Sequence, residues 1–347
     1  MYTWTFVTFR QGFTMTTGQN VKVLLRSRPK GWPLESNFDV VTESIPTPGP
    51  GEILLQHHWL SLDPYMRGRM SEGPSYVPPV EVGAVMCGEC VAEVRQSNNS
   101  KYAVGDLLCG DFGWQQWSVN SGKAVRKVDP KLPQSANLGA AGMPGVTAWC
   151  GLLLLGDPRP GETVVVSGAM GAVGSLVGQI AKLKGCNVVG IAGGPDKCRM
   201  VVEDLGFDAC IDYKAANFRD ALKQATPKGV DVYFDNVGGE ILDTVLTRMN
   251  LFGRVPVCGL ISQYNATEPY GLKNFRFILV NRLKVQGFIV FDFRDHYPTA
   301  YRELGEWLAA GKLRYKETIA EGIRSAPAAF IGMLGGANVG KQLVRLS

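Results

Sequence analysis

The sequence predicts an α/β protein in which a doubly wound parallel sheet is joined to a second, irregular β-rich unit. Three observations carry that prediction. At roughly 100–200 residues per domain, a chain of 347 residues holds two domains. Residues 21–138 are short apolar or alternating runs broken by turns such as PTPGPGE, ending at Glu52, and VGD at 104–106, with few extended helical patterns. From residue 139 onward, strand patterns alternate with helical patterns of about 10–15 residues, the sign of a parallel sheet with helices on both faces.

In chain order, VKVLL at 21–25, EILLQHHWL at 52–60 and VMCGECVAEV at 85–94 read as strands of an irregular barrel or half-open sheet. GAAGMPGVTAWCGLLLL at 139–155 reads as an apolar helical stretch with a glycine-rich entry, followed by the turn DPRPG and the strand TVVVSGA at 163–169. A helix over 173–183, a strand at 187–193 and a helix ending near 205 follow. Short strands at 209–213 and 230–237 come next, with further strand and helix units to about 290. Beyond residue 298, YRELGEWLAAG forms a helix, and KQLVRL at 341–346 is a strand expected to rejoin the first unit. The expected division is 1–138 with 311–347 as the β-rich unit and 139–310 as the parallel-sheet unit.

Composition narrows the function. A hydrophobic fraction of 45% against 19% charged residues excludes disorder. A net charge of +5 without any run of five like charges argues against nucleic acid, while a few cations in one pocket suffice for a phosphate. The first fifteen residues carry only Arg10 as a charge, with neither a basic region nor the length to span a membrane. Residues 1–14 are expected to be an extended start without a role in the fold. Eight scattered cysteines fit a reduced, cytoplasmic setting. Glycine is in excess, 42 residues where about 7% is usual, and is not periodic, so each cluster needs its own reason.

The most informative cluster is VVVSGAMGAVG at 164–174. A β-branched strand runs into a turn whose Gly171, Ala172, Val173 and Gly174 open a helix. Backbone N–H groups and the positive helix end can then approach a pyrophosphate. The next strand ends in Ala192-Gly193-Gly194 without an acidic residue, and Lys197 and Arg199 follow. Small residues leave room for a 2′-phosphate and Lys197 supplies the charge, so NADPH is expected over NADH. No metal site is expected. The three histidines, His57, His58 and His296, lack ligand spacing, and Cys87 and Cys90 stand alone as small buried hydrophobes.

Several runs then resemble a known family: LSLDPYMRGRM at 60–70, GMPGVTA at 142–148, DNVGG at 235–239 and GLISQYN at 259–265. Together with the glycine turn and the missing zinc ligands, they are similar to the zinc-free medium-chain dehydrogenase/reductases. Within these they resemble the NADPH-dependent alkenal/one oxidoreductases, which include prostaglandin reductases, plant double-bond reductases and bacterial curcumin reductases. MSEGPSYVPP at 70–79 most resembles the curcumin-reductase branch. The resemblance implies a Rossmann-type NADPH domain, a GroES-like catalytic domain and a homodimer. It implies cofactor contacts at Met143, Thr147, Gly194, Lys197, Tyr213, Asn236, Cys258, Gly259, Ile261, Ser262 and Tyr264. Phe288, Ile289, Val290 and Asn338 border the nicotinamide by the same resemblance.

Tyr65 and Tyr264 are the expected catalytic residues. A phenol with its ordinary pKa near 10 is protonated at neutral pH and can donate to an enone carbonyl, stabilising the oxyanion that develops. Met66, Arg67, Met70 and Tyr76 are expected at the pocket rim. The expected function is NADPH-dependent reduction of the C=C bond of a small-molecule α,β-unsaturated ketone or aldehyde, without nucleic-acid or membrane partners. Quinone reduction, zinc-free alcohol dehydrogenation and non-catalytic NADPH binding are the alternatives.

Overall fold

The computed structural model describes residues 18–347; the expectation about residues 1–14 lies outside them. The amino-terminal half contains β1 (Gln19–Leu25), β2 (Phe38–Ser44), β3 (Ile53–Ser61), the short helix α1 (Tyr65–Arg69), β4 (Glu89–Ser97), β5 (Leu107–Asp111), β6 (Trp117–Asn120) and β7 (Arg126–Lys127). Then come α2 (Met143–Cys150), β8 (Thr163–Ser167), α3 (Gly174–Leu183), β9 (Asn187–Ala192), α4 (Pro195–Glu203), β10 (Ala209–Asp212), α5 (Phe218–Ala225), β11 (Val230–Phe234), α6 (Gly239–Leu246), β12 (Met249–Val257), α7 (Arg276–Val280) and β13 (Lys284–Gly287). The carboxyl-terminal part adds α8 (Tyr297–Ala309), β14 (Glu317–Glu321), α9 (Ala326–Leu334) and β15 (Lys341–Arg345).

The parallel sheet runs in the order β10-β9-β8-β11-β12-β13. The chain builds outward from β8 in one direction and returns beyond β11 in the other, so the switch point lies between β8 and β11. A doubly wound sheet holds its ligand at that point, outside the carboxyl ends of the strands. Val164, Val165 and Val166 of β8 are fully buried because helices cover both faces. One core gathers α2, α3 and α8, including Val146, Ile180 and Leu304. The core on the opposite face gathers α5 and α6 through Leu222 and Val245.

The second sheet runs β14-β15-β3-β4-β5-β7, with β6 also paired to β3. β15 pairs antiparallel with β3, as Leu343 opposite Ser61, and parallel with β14. The end of the chain therefore lies in the β-rich sheet, as KQLVRL predicted. β1 and β2 form a separate antiparallel pair. β14 and α9 had no distinct signal in the sequence, since the half-exposed ETIAE and the glycine-flanked APAAFIGML carry weak periodicity.

Some boundaries differ from the pattern. β4 starts at Glu89 rather than Val85: residues 85–88 instead cross beside β1, where Met86 N–H donates to Val23 O (3.0 Å). Cys87 thus lies outside the strand that holds Cys90. The apolar helical stretch over 139–155 is two pieces, α2 and a wider π-type turn over Gly151–Gly156. Met66 and Met70, expected at a pocket rim, are fully buried in the β-rich core. A five-residue helix against a sheet has to bury its apolar side chains, and that requirement decides where they point.

Candidate active site

A cleft of about 870 Å³ opens at the switch point, bounded by the turns after β8 and β9, the turn Leu62–Pro64 and residues 335–342. Among the expected contacts, Gly171, Ala172, Lys197, Tyr213, Ile261, Ser262 and Asn338 line it. Val173 and Gly174 lie directly behind, at the start of α3. The turn is built on glycine for two different reasons. A β-carbon on Gly174 would lie 2.3 Å from Gly168 O, so the turn closes only without one. At Gly171 the nearest atom would be 3.1 Å away, and the missing side chain leaves the floor of the cleft open to a bulky anion.

At the far end of the cleft sit Lys197 and, unforeseen from the sequence, Lys214. Burial, and then the neighbouring Lys214, hold the Lys197 ammonium below its ordinary pKa. Its Nζ donates to Gly336 O at 2.6 Å and has no carboxylate partner among the described residues. Gly193 is needed because a β-carbon there would meet the Tyr213 ring at 3.0 Å. Gly194 holds φ +98° and donates to Asp212 Oδ1 (2.8 Å), which also accepts from Lys214 N (2.9 Å). Asp212 is therefore spent on backbone amides, and the two lysines give this end positive charge that suits a dianionic phosphate.

Asn236, which precedes the lining Val237 and does not itself line the cleft, is fixed by its side chain to Ser167 O (2.7 Å) and by its backbone N–H to Ser167 Oγ (2.9 Å). Asp235 beneath it is fully buried, and Oδ1 accepts from Ser167, Tyr233 and the amides of Val237 and Gly238. Burial raises its carboxyl pKa against these bonds. Cys258 and Gly259 donate backbone N–H groups to Asp235 O, and Ser262 Oγ donates to Val237 O (2.6 Å). Burial pushes the Cys258 thiol up to about 12. Thr147 donates its hydroxyl back to Met143 O within α2. Phe288 and Val290 turn their side chains into the parallel-sheet core, where Phe288 sits edge-on to Phe234, leaving half-buried Ile289 between them.

The tyrosines come from opposite units. Tyr65 opens α1, just after the cleft-lining Asp63 and Pro64, and burial followed by the charge of Asp63 raises its pKa well above the usual value. Tyr264 lies in the loop after β12, and burial raises its pKa as well. Its oxygen accepts the Leu260 N–H at 3.3 Å, and Gly259 leaves room, since a β-carbon there would lie 3.3 Å from that oxygen. Both phenols are neutral at pH 7 and keep a proton to donate. Arg67, expected at the rim, is instead a buried tie between the units, donating to Asn265 Oδ1 (2.9 Å), Gly31 O (2.8 Å) and Ser71 Oγ (2.7 Å). Tyr76 remains exposed.

No three His, Cys, Asp or Glu side chains among the described residues are placed to share a metal ion. His57 is fully buried against Ser118, and burial lowers its pKa to about 3, so it is a neutral core residue. No described helix is long and apolar enough to cross a membrane.

With this geometry in place, residues 22–128 match the family described as N-terminal domain of oxidoreductase, and residues 172–309 match that described as zinc-binding dehydrogenase. The donor set for that second family's metal is not assembled among the described residues. The chain is 47% identical to the NADPH-dependent curcumin reductase of Escherichia coli K12, covering 95% of this chain and 97% of the relative. It is 41% identical to the tobacco (Nicotiana tabacum) 2-alkenal reductase (NADP(+)-dependent), covering 94% and 98%. The crystal structure of CurA in complex with NADPH from Vibrio vulnificus superposes with a TM-score of 0.91 at 46% identity, covering 94% of this chain and 99% of that one.

Proposed function

Because the chain belongs to the medium-chain dehydrogenase/reductase family, we propose that it is an NADPH-dependent reductase of the C=C bond of α,β-unsaturated ketones and aldehydes. The observation that carries this reading is a cleft with an open glycine floor and two lysines at one end, next to which two neutral tyrosines stand: Tyr65 follows the lining Pro64 and Tyr264 lies between the lining Ser262 and Asn265, although neither tyrosine lines the cleft itself. Gly171 to Gly174 would take the pyrophosphate, and Lys197 with Tyr213 and Lys214 the 2′-phosphate. Asn236, Cys258 to Ser262 and Asn338 would border the ribose and nicotinamide. Bound NADPH supplies the hydride that reduces the β-carbon.

The chain's own residues then govern the carbonyl end of the substrate. Tyr264, with its oxygen held by Leu260 N–H, donates its proton towards the carbonyl oxygen and stabilises the oxyanion as charge moves there. Tyr65 approaches from the other unit and plays the same part or returns a proton to the α-carbon. Burial keeps both protonated, which is the state a donor requires. A curcumin-like diaryl enone or an alkenal fits the names of the relatives. The test is NADPH oxidation with a conjugated enone set against its saturated ketone. Turnover is expected with the enone alone, and turnover of only the saturated ketone overturns the reading.

We read 139–310 as the cofactor-binding unit and 1–138 with 311–347 as the substrate-binding unit. The pairing of β15 with β3 supports that division. All eight cysteines are free, in keeping with a reduced cytoplasm. A homodimer is supported by β13, an edge strand with exposed backbone beside the exposed Phe252, Phe275, Leu279 and Val285. Sedimentation at micromolar concentration should give twice the chain mass, and a monomer would contradict the dimer.

A further inference from the structure

We infer that Lys341 is a positioning residue that sets Tyr65 relative to the dinucleotide turn. The inference rests on the reading of Tyr65 as an oxyanion donor. Lys341 opens β15 and is 3% exposed, yet it carries a charge. Its Nζ donates to Leu62 O at 2.6 Å and to Asp63 Oδ1 at 2.8 Å. Ser61 Oγ donates to the other oxygen of the same carboxylate. Asp63 O in turn accepts Met66 N–H at 3.1 Å, closing the first turn of α1 around Tyr65.

A buried ion pair is weak grounds for stability, because stripping water from two charges offsets most of their attraction. What this pair does instead is fix direction. The turn Leu62–Pro64 has its last carbonyl before Asp63 and both carboxylate oxygens held, so α1 leaves β3 at one angle. Asp63 cannot rotate without leaving a buried ammonium unpaired.

The other side of Lys341 reaches the cofactor end of the cleft. Gly340 N–H donates to Met170 O at 2.9 Å, and Gly340 bridges in parallel to Gly171 on the open floor. Gly336 O accepts Lys197 Nζ at 2.6 Å. Gly340 admits no substitute, since its φ is +72° and a β-carbon would lie 1.9 Å from Lys316 O. One short segment, 336–341, therefore touches the anion-binding lysine, the dinucleotide turn and the turn that carries Tyr65. Through it the two halves of the site keep one spacing, and Lys341 is the link on the tyrosine side.

The experiment is a double-mutant cycle of Lys341→Met with Tyr65→Phe, reading kcat on an enone, the NADPH dissociation constant and Tm. Lys341→Met alone should lower kcat on the order of 10–100-fold, because a displacement near 1 Å has that cost. NADPH affinity should change less than about threefold, and Lys341→Arg should recover part of kcat. In the Tyr65→Phe background the lysine substitution should cost no more than about twofold further, since the group it positions is gone. Effects that multiply overturn the inference while leaving Tyr65 as a donor. An unchanged kcat in Tyr65→Phe removes the donor role of Tyr65 and this inference with it. If Lys341→Met does not fold, Asp63→Asn breaks the same pair with the same shape and carries the cycle: non-multiplying effects support the inference and multiplying effects overturn it.

Discussion

Tyr264→Phe lowers kcat for an enone by about 10²–10³-fold, the usual cost of removing one preorganised donor to a developing oxyanion. NADPH affinity and fold should hardly change. The hydroxyl meets the N–H of the exposed Leu260 at 3.3 Å, a long contact, so little native structure depends on it. The pH profile adds a second readout. A donor must be protonated, and burial raises the pKa of both Tyr264 and Tyr65. Activity that depends on them therefore persists above the pH at which an ordinary phenol ionises, and is lost only as pH climbs through the raised values. Stopped-flow measurement of the reductive step against pH checks this, and a loss of rate centred well below about pH 10 would assign the proton to another group.

The second large effect concerns the cofactor. Lys197→Ala should weaken NADPH binding by about 10–100-fold, because one charge-assisted bond to a phosphate is worth about 1.5–3 kcal/mol. NADH, lacking the 2′-phosphate, should bind the variant as it binds the parent. Titration calorimetry with both nucleotides decides the matter, and an equal loss for the two would detach Lys197 from the phosphate. The sign of the pH dependence follows from the lysine's surroundings. Burial and Lys214 disfavour its charged form in the free protein, and a dianionic phosphate restores that form. NADPH affinity therefore falls as pH rises through the lowered Lys197 pKa, and falls again at acid pH, where the phosphate loses its second charge near about pH 6. NADH affinity should stay level across both ranges.

The glycine turn that opens onto the cleft was legible in the sequence because its signal is local. A β-branched strand, a turn with three glycines and a helix start occupy the consecutive run 164–174, and the proposed pyrophosphate contacts are to its backbone. The same holds for Lys197, which follows closely on Gly193 and Gly194. The carboxyl-terminal strand was legible from KQLVRL, whose apolar run fits a strand with both neighbours paired. What escaped depends on contacts between distant segments. Arg67 meets Asn265 across 198 positions and Lys341 meets Asp63 across 278, and no periodicity marks either pair. Arg67 read as a rim residue because arginine is seldom buried. Its buried place follows from a fork of donors that finds acceptors on three segments, at Pro29 and Gly31, Ser71 and Asn265.

Met66 and Met70 were misplaced for a related reason. The run DPYMRGRM suggests an exposed turn by its charges, yet α1 lies against the β-rich sheet and sends both methionines into it. Lys214 could have been noticed, since it follows Tyr213, but only the fold brings that position under Gly193. Phe288 and Val290 illustrate the converse. Resemblance implied a place at the nicotinamide, whereas their side chains are spent on the core around Phe234. None of residues 288–290 lines the cleft.

The central claim, reduction of a C=C bond, is tested most directly by the enone assay run with NADPH deuterated at nicotinamide C4 on the transferred face. The product analysed by mass spectrometry and NMR should be the saturated ketone with deuterium on its β-carbon. An allylic alcohol with deuterium on its carbinol carbon, the former carbonyl carbon, would contradict the claim and make the protein a carbonyl reductase.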